Sequence, residues 1–256
     1  MDPTFQNSTD ARSFALADRA VAATGILGIA AFWGGVTMAA SRYPMEYDWR
    51  YMTVSSLLAA DRNPAGHLWA AAGIVACGCL GFAWATLLVR LSPRSKTPAG
   101  LGGLRAFQFG YFCTALAAAL PARLVPLPKA HEILAILAFA GLTYGIVRTF
   151  QTGVVRRIRR SGEAGRLWAT TIVGAVVSPV LLAASAQTYV FFARPELPWV
   201  NLAWRSRGVP LYLSFAFWEW VTCGVLAAYM AILLVSTRGD SLGHKTAARA
   251  PAVTRE

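Results

Sequence analysis

The chain has 256 residues, of which 56% are hydrophobic and only 14% are charged, and its formal net charge is +12. Its mean hydropathy of +0.47 lies outside the range of soluble globular proteins. The composition excludes a soluble domain as the main structure and predicts an integral membrane protein.

Apolar stretches long enough to cross a bilayer recur along the sequence, and each crossing takes roughly 20 residues of helix. We expect six spans, at about 21–40, 67–91, 106–127, 131–150, 168–193 and 214–236. Short linkers join them, so residues 21–237 are predicted to form one all-α, polytopic bundle of six transmembrane helices. Residues 1–20 form a polar N-terminal segment without a signal-peptide layout, and residues 238–256 are predicted to be a disordered tail.

The basic residues are distributed unevenly between the two sides of this predicted bundle. Both termini, the second linker and the fourth linker together carry 16 of the 24 Lys and Arg. The positive-inside rule then places both termini in the cytoplasm, and this distribution argues against nucleic acid as a partner. The Arg-rich loop 156–166 is interpreted as a topology signal, with a contact to anionic lipid headgroups as the open alternative. Frequent Arg and Ala are typical of a bacterium with a GC-rich genome, which predicts the plasma (inner) membrane.

Polar residues gather at the predicted outer ends of the spans, and the cytoplasmic halves carry nothing comparable. Ionisable groups in spans are costly and usually face a bundle interior or a wet cavity. We interpret the outer set as lining one shared pocket that binds a ligand. Its members are Ser55, Ser56, Asp61, Asn63, His67, Arg123, His131, Gln187, Glu219 and Trp220. Glu219 is the carboxylate that lies well inside an apolar run, and a structural and a functional role are both open for it.

Common catalytic and nucleotide-binding motifs are absent: the sequence has no GxSxG, HExxH, Walker or GxGxxG pattern. His67, His131 and either Asp61 or Glu219 are the candidate acid-base groups or zinc ligands. A serine hydrolase set would need Ser55 or Ser56 beside a histidine and Asp61. No spacing supports either arrangement, so we expect no metal and no other cofactor.

Three motifs occur in the order found in a known family: "TVSSLLAADRNPAGHLW" after the first span, "HEILAILAF" in the fourth, and "FWEWVTCGVLAAYMAILL" in the last. In this the chain resembles the DRAM/Frag/Sfk-type six-span membrane proteins and a related bacterial six-span family of unknown function. The matching positions are Ser55 or Ser56, Asn63, Pro64, His131, Ala135, Phe139, Glu219 and Trp220. The chain departs from the family at Leu57 and Leu58, where a Gly is usual after the serine. It departs again at Ala65 and Gly66, where an acidic residue is usual after the proline.

The resemblance implies a six-helix protein associated with lipids. Eukaryotic members are linked to GPI-anchor lipid remodelling, phosphoinositide kinase recruitment, phospholipid asymmetry and autophagy. We therefore expect a non-enzymatic protein that binds a lipid headgroup or small amphiphile, with Arg123 or Arg194 on a phosphate and a Glu219–His131 pair joining two spans. Two other functions stay open on the sequence: a lipid-modifying hydrolase or transferase, and a structural partner of another membrane protein.

Overall fold

The computed structural model describes residues 3–91, 97–120, 130–152, 163–194, 196 and 203–247. Within these residues the chain is all-helical and contains no strand. The long helices are α1 (Pro3–Ser41), α3 (His67–Leu91), α4 (Pro98–Ala119), α5 (Ala130–Thr152), α6 (Glu163–Ala193) and α8 (Phe215–Ala247). The short elements are α2 (Val54–Leu58), α7 (Ala203–Ser206) and a 3-10 turn at Leu211–Leu213.

Five helical segments of the described chain are long and apolar enough to cross a membrane, as expected of a multi-pass membrane protein. They are Arg19–Ser41, His67–Leu91, Ala130–Phe150, Val173–Ala193 and Phe215–Ile232. Helix α4, predicted as a further span, is similar in length but is not among these five. Its sequence contains several glycines together with Arg105 and Gln108.

Four helices extend beyond the boundaries that hydropathy alone predicts, and of these α6 begins at Glu163 instead of near residue 168. Helix α4 begins well before residue 106, because Pro98 lies in its first turn and Thr97 Oγ1 accepts the Gly100 N–H at 3.2 Å. Helix α1 begins in the predicted polar segment, and α8 continues to Ala247, so residues 238–247 of the predicted disordered tail are helical. Extending an existing helix costs far less than starting one, so polar residues follow an apolar span into helix. Residues 248–256 lie outside the described residues.

The long helices pack in the order α6–α8–α1–α3–α4–α5, with the most extensive contacts between α1 and α3, α3 and α4, and α4 and α5. All six contribute to one core cluster. At its centre the rings of Trp84 and Phe107 meet edge-on at 5.6 Å, and Tyr111 stacks on Phe107 at 6.3 Å. Aromatic pairs in these geometries add to the packing attraction that holds membrane helices together.

Glycines set the distance between α1 and α3. A Cβ added at Gly35 would lie 2.6 Å from the Gly73 Cα and 2.7 Å from the Trp69 carbonyl oxygen. Only a residue without a side chain allows two backbones to approach so closely. Gly110 and Gly141 play the same part between α4 and α5.

The segment 42–66, which we call the cap, closes one end of the bundle. Its helix α2 inserts Val54 and Leu57 into a buried cluster with Val36 of α1, Ala70 of α3 and Cys223 of α8. A second small cluster at this end joins the last turns of α6 to the start of α8. We call this end the capped end, and it is the end at which the sequence predicts polar residues to gather.

Candidate functional site

Asn63 of the cap ties together the ends of three helices. Its side chain is fully buried, and Nδ2 donates to the Ala39 carbonyl at 3.1 Å and to the Leu57 carbonyl at 3.3 Å. These carbonyls lie in the last turns of α1 and α2, where a helix leaves its own acceptors unpaired. The backbone carbonyl of Asn63 accepts the N–H of His67, the first residue of α3, at 2.9 Å. The Asn-Pro segment is therefore a structural joint.

Helix α2 has its first N–H groups satisfied by side chains from two directions. Thr53 is its N-cap, and Thr53 Oγ1 accepts the Ser56 N–H at 3.3 Å. Glu219, reaching from α8, accepts the Val54 N–H through Oε2 at 3.1 Å. Ser56 Oγ donates to the Thr53 carbonyl at 2.6 Å, and the Ser55 and Thr53 hydroxyls are 2.8 Å apart. Both serines and Glu219 thus hold the cap in place.

Two aromatic side chains bind the backbone of the cap on the other side of α2. Trp220 Nε1 donates to the Met52 carbonyl at 2.9 Å, and the Tyr47 hydroxyl lies 2.9 Å from the carbonyls of Met52 and Thr53. Burial raises the pKa of Tyr47 well above its ordinary value and the Glu219 carboxylate raises it further, against opposing hydrogen bonds with Ser56 and Trp220. Tyr47 therefore stays protonated and acts as a donor.

Asp48 joins the cap to the connection between α6 and α8. Its carboxylate is 6% exposed and contacts Arg50 Nε at 2.7 Å and Arg205 Nη1 at 2.8 Å. Burial alone would raise the pKa of Asp48, but the hydrogen bonds from Arg50 and the charges of both arginines outweigh burial and lower it. The carboxylate is therefore ionised, and it fixes the guanidinium group of Arg50 together with that of Arg205, which lies 157 residues from Asp48 in the chain.

Aromatic rings, of which Trp49 is exposed, lie next to this ion cluster. Trp49, which separates Asp48 from Arg50 in the sequence, is 47% exposed and its ring lies 5.8 Å from that of Phe217. Phe217 meets Trp218 edge-on at 4.9 Å. Rings of this kind are enriched at the level of lipid headgroups, because one part of each is apolar and another is polar.

The candidate acid-base residues have separate partners. His67 Nδ1 lies 3.1 Å from the carbonyls of Asn63 and Pro64, at the start of α3. His131 Nδ1 lies 2.9 Å from the Ala117 carbonyl, where it joins α5 to α4. Carbonyls only accept, so in both rings Nδ1 is the donor. The expected Glu219–His131 pair is not formed, because Glu219 bonds the cap backbone instead.

The described residues contain no group of three or more His, Cys, Asp or Glu that could hold a metal ion. Asp61, the remaining acid-base candidate, is exposed on the surface of the cap. Gln187 is half-buried on α6, and its Oε1 is buried without a hydrogen-bond partner. Arg123 lies outside the described residues. In the described part of the chain, the predicted ligands that contact the cap are engaged in its hydrogen bonds: Ser55, Ser56, Asn63, Glu219 and Trp220.

A groove of about 370 Å³ lies between α1 and α8. Its walls are apolar and include Ile26, Trp33 and Leu234. None of the residues predicted as ligands lines it.

Sequence reasoning missed the residues that organise the rim of the capped end, namely Tyr47, Asp48, Arg50, Arg205 and Ser214. Ser214 Oγ donates to the Arg50 carbonyl at 2.5 Å, and so fixes the cap to the start of α8. The one available signal was position: the first four lie in linkers of the predicted outer side, and Ser214 begins the predicted sixth span. No spacing in the chain indicates that Asp48 and Arg205 meet.

No protein-family model matches the chain, and no curated protein or solved structure matches it either. The resemblance to the DRAM/Frag/Sfk-type family accordingly stays a prediction.

Proposed function

We propose that this protein is a non-enzymatic, multi-pass membrane protein that binds membrane lipid headgroups around its capped end. The observation that carries the proposal is a difference between the polar groups inside the cap and the side chains around it. Polar groups inside the cap bond to one another and to its backbone, whereas arginines and aromatic rings remain exposed around it. Such a surface suits headgroups that lie against the protein, since Arg binds phosphate and aromatic rings favour the interface.

Lipid-modifying catalysis is the weaker alternative. An acid-base enzyme needs its groups within hydrogen-bond reach of one reacting atom. In the described residues His67 and His131 are instead engaged with different carbonyls, and Glu219 is engaged with the backbone of α2.

The proposed topology has six spans, with α4 as the third, in the plasma membrane of a bacterium, and both termini in the cytoplasm. Support comes from the packing of α4 between two apolar helices and from the excess of Lys and Arg on the side of the termini. The capped end then faces outward. Single cysteines at exposed Asp61 and Arg207 should react with a membrane-impermeant maleimide in intact cells, and a cysteine at Arg19 should not. Labelling of Arg19→Cys alone would reverse the orientation.

Lipid retention tests the proposed function. The full chain is purified in a mild neutral detergent, and the lipids that remain bound are identified by mass spectrometry. We expect enrichment of one headgroup class over its share in the source membrane. A bound-lipid composition equal to that of the bulk membrane would contradict specific binding and leave the structural-partner function as the better account.

A further inference from the structure

We propose that Arg50 and Arg205 form a binding site for the phosphodiester group of an anionic membrane lipid. The inference rests on the proposed lipid-binding function and names the ligand chemistry of one place on the capped end. Both guanidinium groups contact the same carboxylate, Asp48, and both remain largely exposed.

The charge balance of this cluster favours an anion. One buried carboxylate neutralises only one of its two cationic partners. Glu46 acts on Arg50 from farther away, and Glu196 pairs with Arg194. Among the described residues of 46–50 and 194–207, the charged groups are Arg50, Arg194, Arg205, Arg207, Glu46, Asp48 and Glu196, so four cations outnumber three anions. A net positive charge remains for a ligand.

Unused donors remain on both arginines. A guanidinium has five N–H groups, and Arg205 contacts Asp48 through Nη1 whereas Arg50 uses Nε and Nη2. The two side chains are 58% and 44% exposed. The planar fork of Arg matches the oxygens of a phosphate better than the point charge of Lys does.

The two cations are held in position before a ligand arrives. Asp48 fixes both guanidinium groups, and Ser214 holds the backbone of Arg50. On the other side, the Tyr51 hydroxyl donates to the Val209 carbonyl at 2.9 Å and anchors the linker that carries Arg205. A site that is already ordered loses little conformational entropy on binding.

The surroundings point to a lipid as the source of the phosphate. Trp49 is exposed beside Arg50, and its ring leads to Phe217 and Trp218. Tyr212, which follows Arg205 in the connection between α6 and α8, is 66% exposed. A free phosphate ion gains nothing from aromatic rings, whereas the glycerol and upper acyl region of a lipid packs against them.

The test uses the full chain in neutral detergent, with binding counted by native mass spectrometry. The probes are short-chain phosphatidylglycerol, short-chain phosphatidylcholine and inorganic phosphate. The variant is Arg205→Gln, which keeps an amide donor for Asp48 and leaves the Arg50–Asp48 pair in place. Arg207→Gln is the matched control, because it removes the same charge two residues away, from a side chain that contacts the Glu196 carbonyl.

We expect Arg205→Gln to weaken phosphatidylglycerol binding on the order of tenfold, since a charged hydrogen bond of this strength corresponds to about that factor. Arg207→Gln should change it by less than about twofold, as screened surface charges do. Phosphatidylcholine, whose choline cancels the phosphate charge, should bind more weakly to the wild type. Arg205→Lys keeps the charge without the fork, so an intermediate loss is expected, and thermal unfolding confirms that each variant is folded.

Equal losses in Arg205→Gln and Arg207→Gln would overturn the site, because general rim charge would then explain binding. Unchanged binding in Arg205→Gln would overturn it as well. Inorganic phosphate that binds as tightly as phosphatidylglycerol would assign the site to a free anion and overturn the lipid assignment. In each case a wild type that still retains enriched lipid leaves the proposed function standing, whereas a wild type without such lipid contradicts both.

Discussion

The crossing of α1 and α3 and the cap hold the bundle together by different physical means. At the crossing, Gly35 and Gly73 allow backbone contact and no side-chain hydrogen bond is involved. At the cap, Asn63, Glu219 and Trp220 bond to backbone groups of a segment that has little regular structure. Close packing depends on shape alone, so it tolerates no added volume. Directional bonds depend on the partner atoms, so an isosteric side chain can preserve them.

The largest effect is expected at the glycine crossing. Gly35→Ala places a methyl group 2.6 Å from the Gly73 Cα, which forces α1 away from α3. Overpacking of this kind costs about 3 kcal/mol in free energy of unfolding. Thermal unfolding in detergent measures the loss. Gly34→Ala is the control, since an added Cβ there meets nothing within 4 Å, so it should lose no stability and gain at most about 1 kcal/mol from the higher helix propensity of Ala. Equal losses at these neighbouring positions would refute close packing as the cause.

The next effect is expected at Asn63. Asn63→Ala removes a donor to the Leu57 carbonyl and to the Ala39 carbonyl, which keeps the Arg42 N–H as a second donor. Leaving the buried Leu57 acceptor unpaired costs about 2 kcal/mol. Asn63→Asp should be at least as unstable, because a carboxylate would face the same two carbonyls. Asp61→Ala, at an exposed position of the cap, serves as the control. An Asn63→Asp variant as stable as the wild type would contradict the donor role. The midpoints of thermal unfolding in detergent give the order of stability of these variants.

Variants at Glu219 distinguish a structural role of its carboxyl oxygen from a functional role of its negative charge. Glu219→Gln retains an oxygen that accepts the Val54 N–H, so we expect a loss below about 0.5 kcal/mol, whereas Glu219→Ala should cost about 1 kcal/mol. Unfolding measurements and lipid retention are compared for both variants. A Glu219→Gln variant that is stable but retains no lipid would show that the charge itself acts in binding. That result would contradict a purely structural role of Glu219.

The sequence was sufficient to predict five helices that are long and apolar enough to cross a membrane. Apolar length predicts a span because a bilayer admits only satisfied backbones, and Glu219 and His131 were found because polar groups are rare in such runs. Their hydrogen-bond partners could not be predicted from the sequence, because Glu219 accepts the N–H of Val54, which lies 165 residues away in the chain. Asp48 was missed for the opposite reason. A charged residue in a loop is unremarkable in sequence, and only the fold reveals that its carboxylate is buried between two arginines.

A change of pH also distinguishes the two regions. The folded state lowers the pKa of Asp48, so its ionised form stabilises the protein fully above the ordinary aspartate pKa of about 4. That contribution is lost as the pH falls below 4 and passes through the lower pKa of the folded state. Because both arginines are partly exposed, the loss should stay near 1 kcal/mol.

Unfolding at neutral and acidic pH is compared for the wild type and Asp48→Asn. Other carboxyl groups contribute to both proteins, so only the difference between their pH profiles reports on Asp48. We expect the wild type to lose more stability on acidification than Asp48→Asn does. Gly35→Ala disturbs the packing of α1 on α3 but leaves the ion cluster of the cap in place. The dependence of its stability on pH should therefore run parallel to that of the wild type. Parallel profiles for Asp48→Asn and the wild type would mean that the ion cluster does not hold the cap, and the hydrogen bonds from Glu219, Trp220 and Asn63 would then account for its position alone.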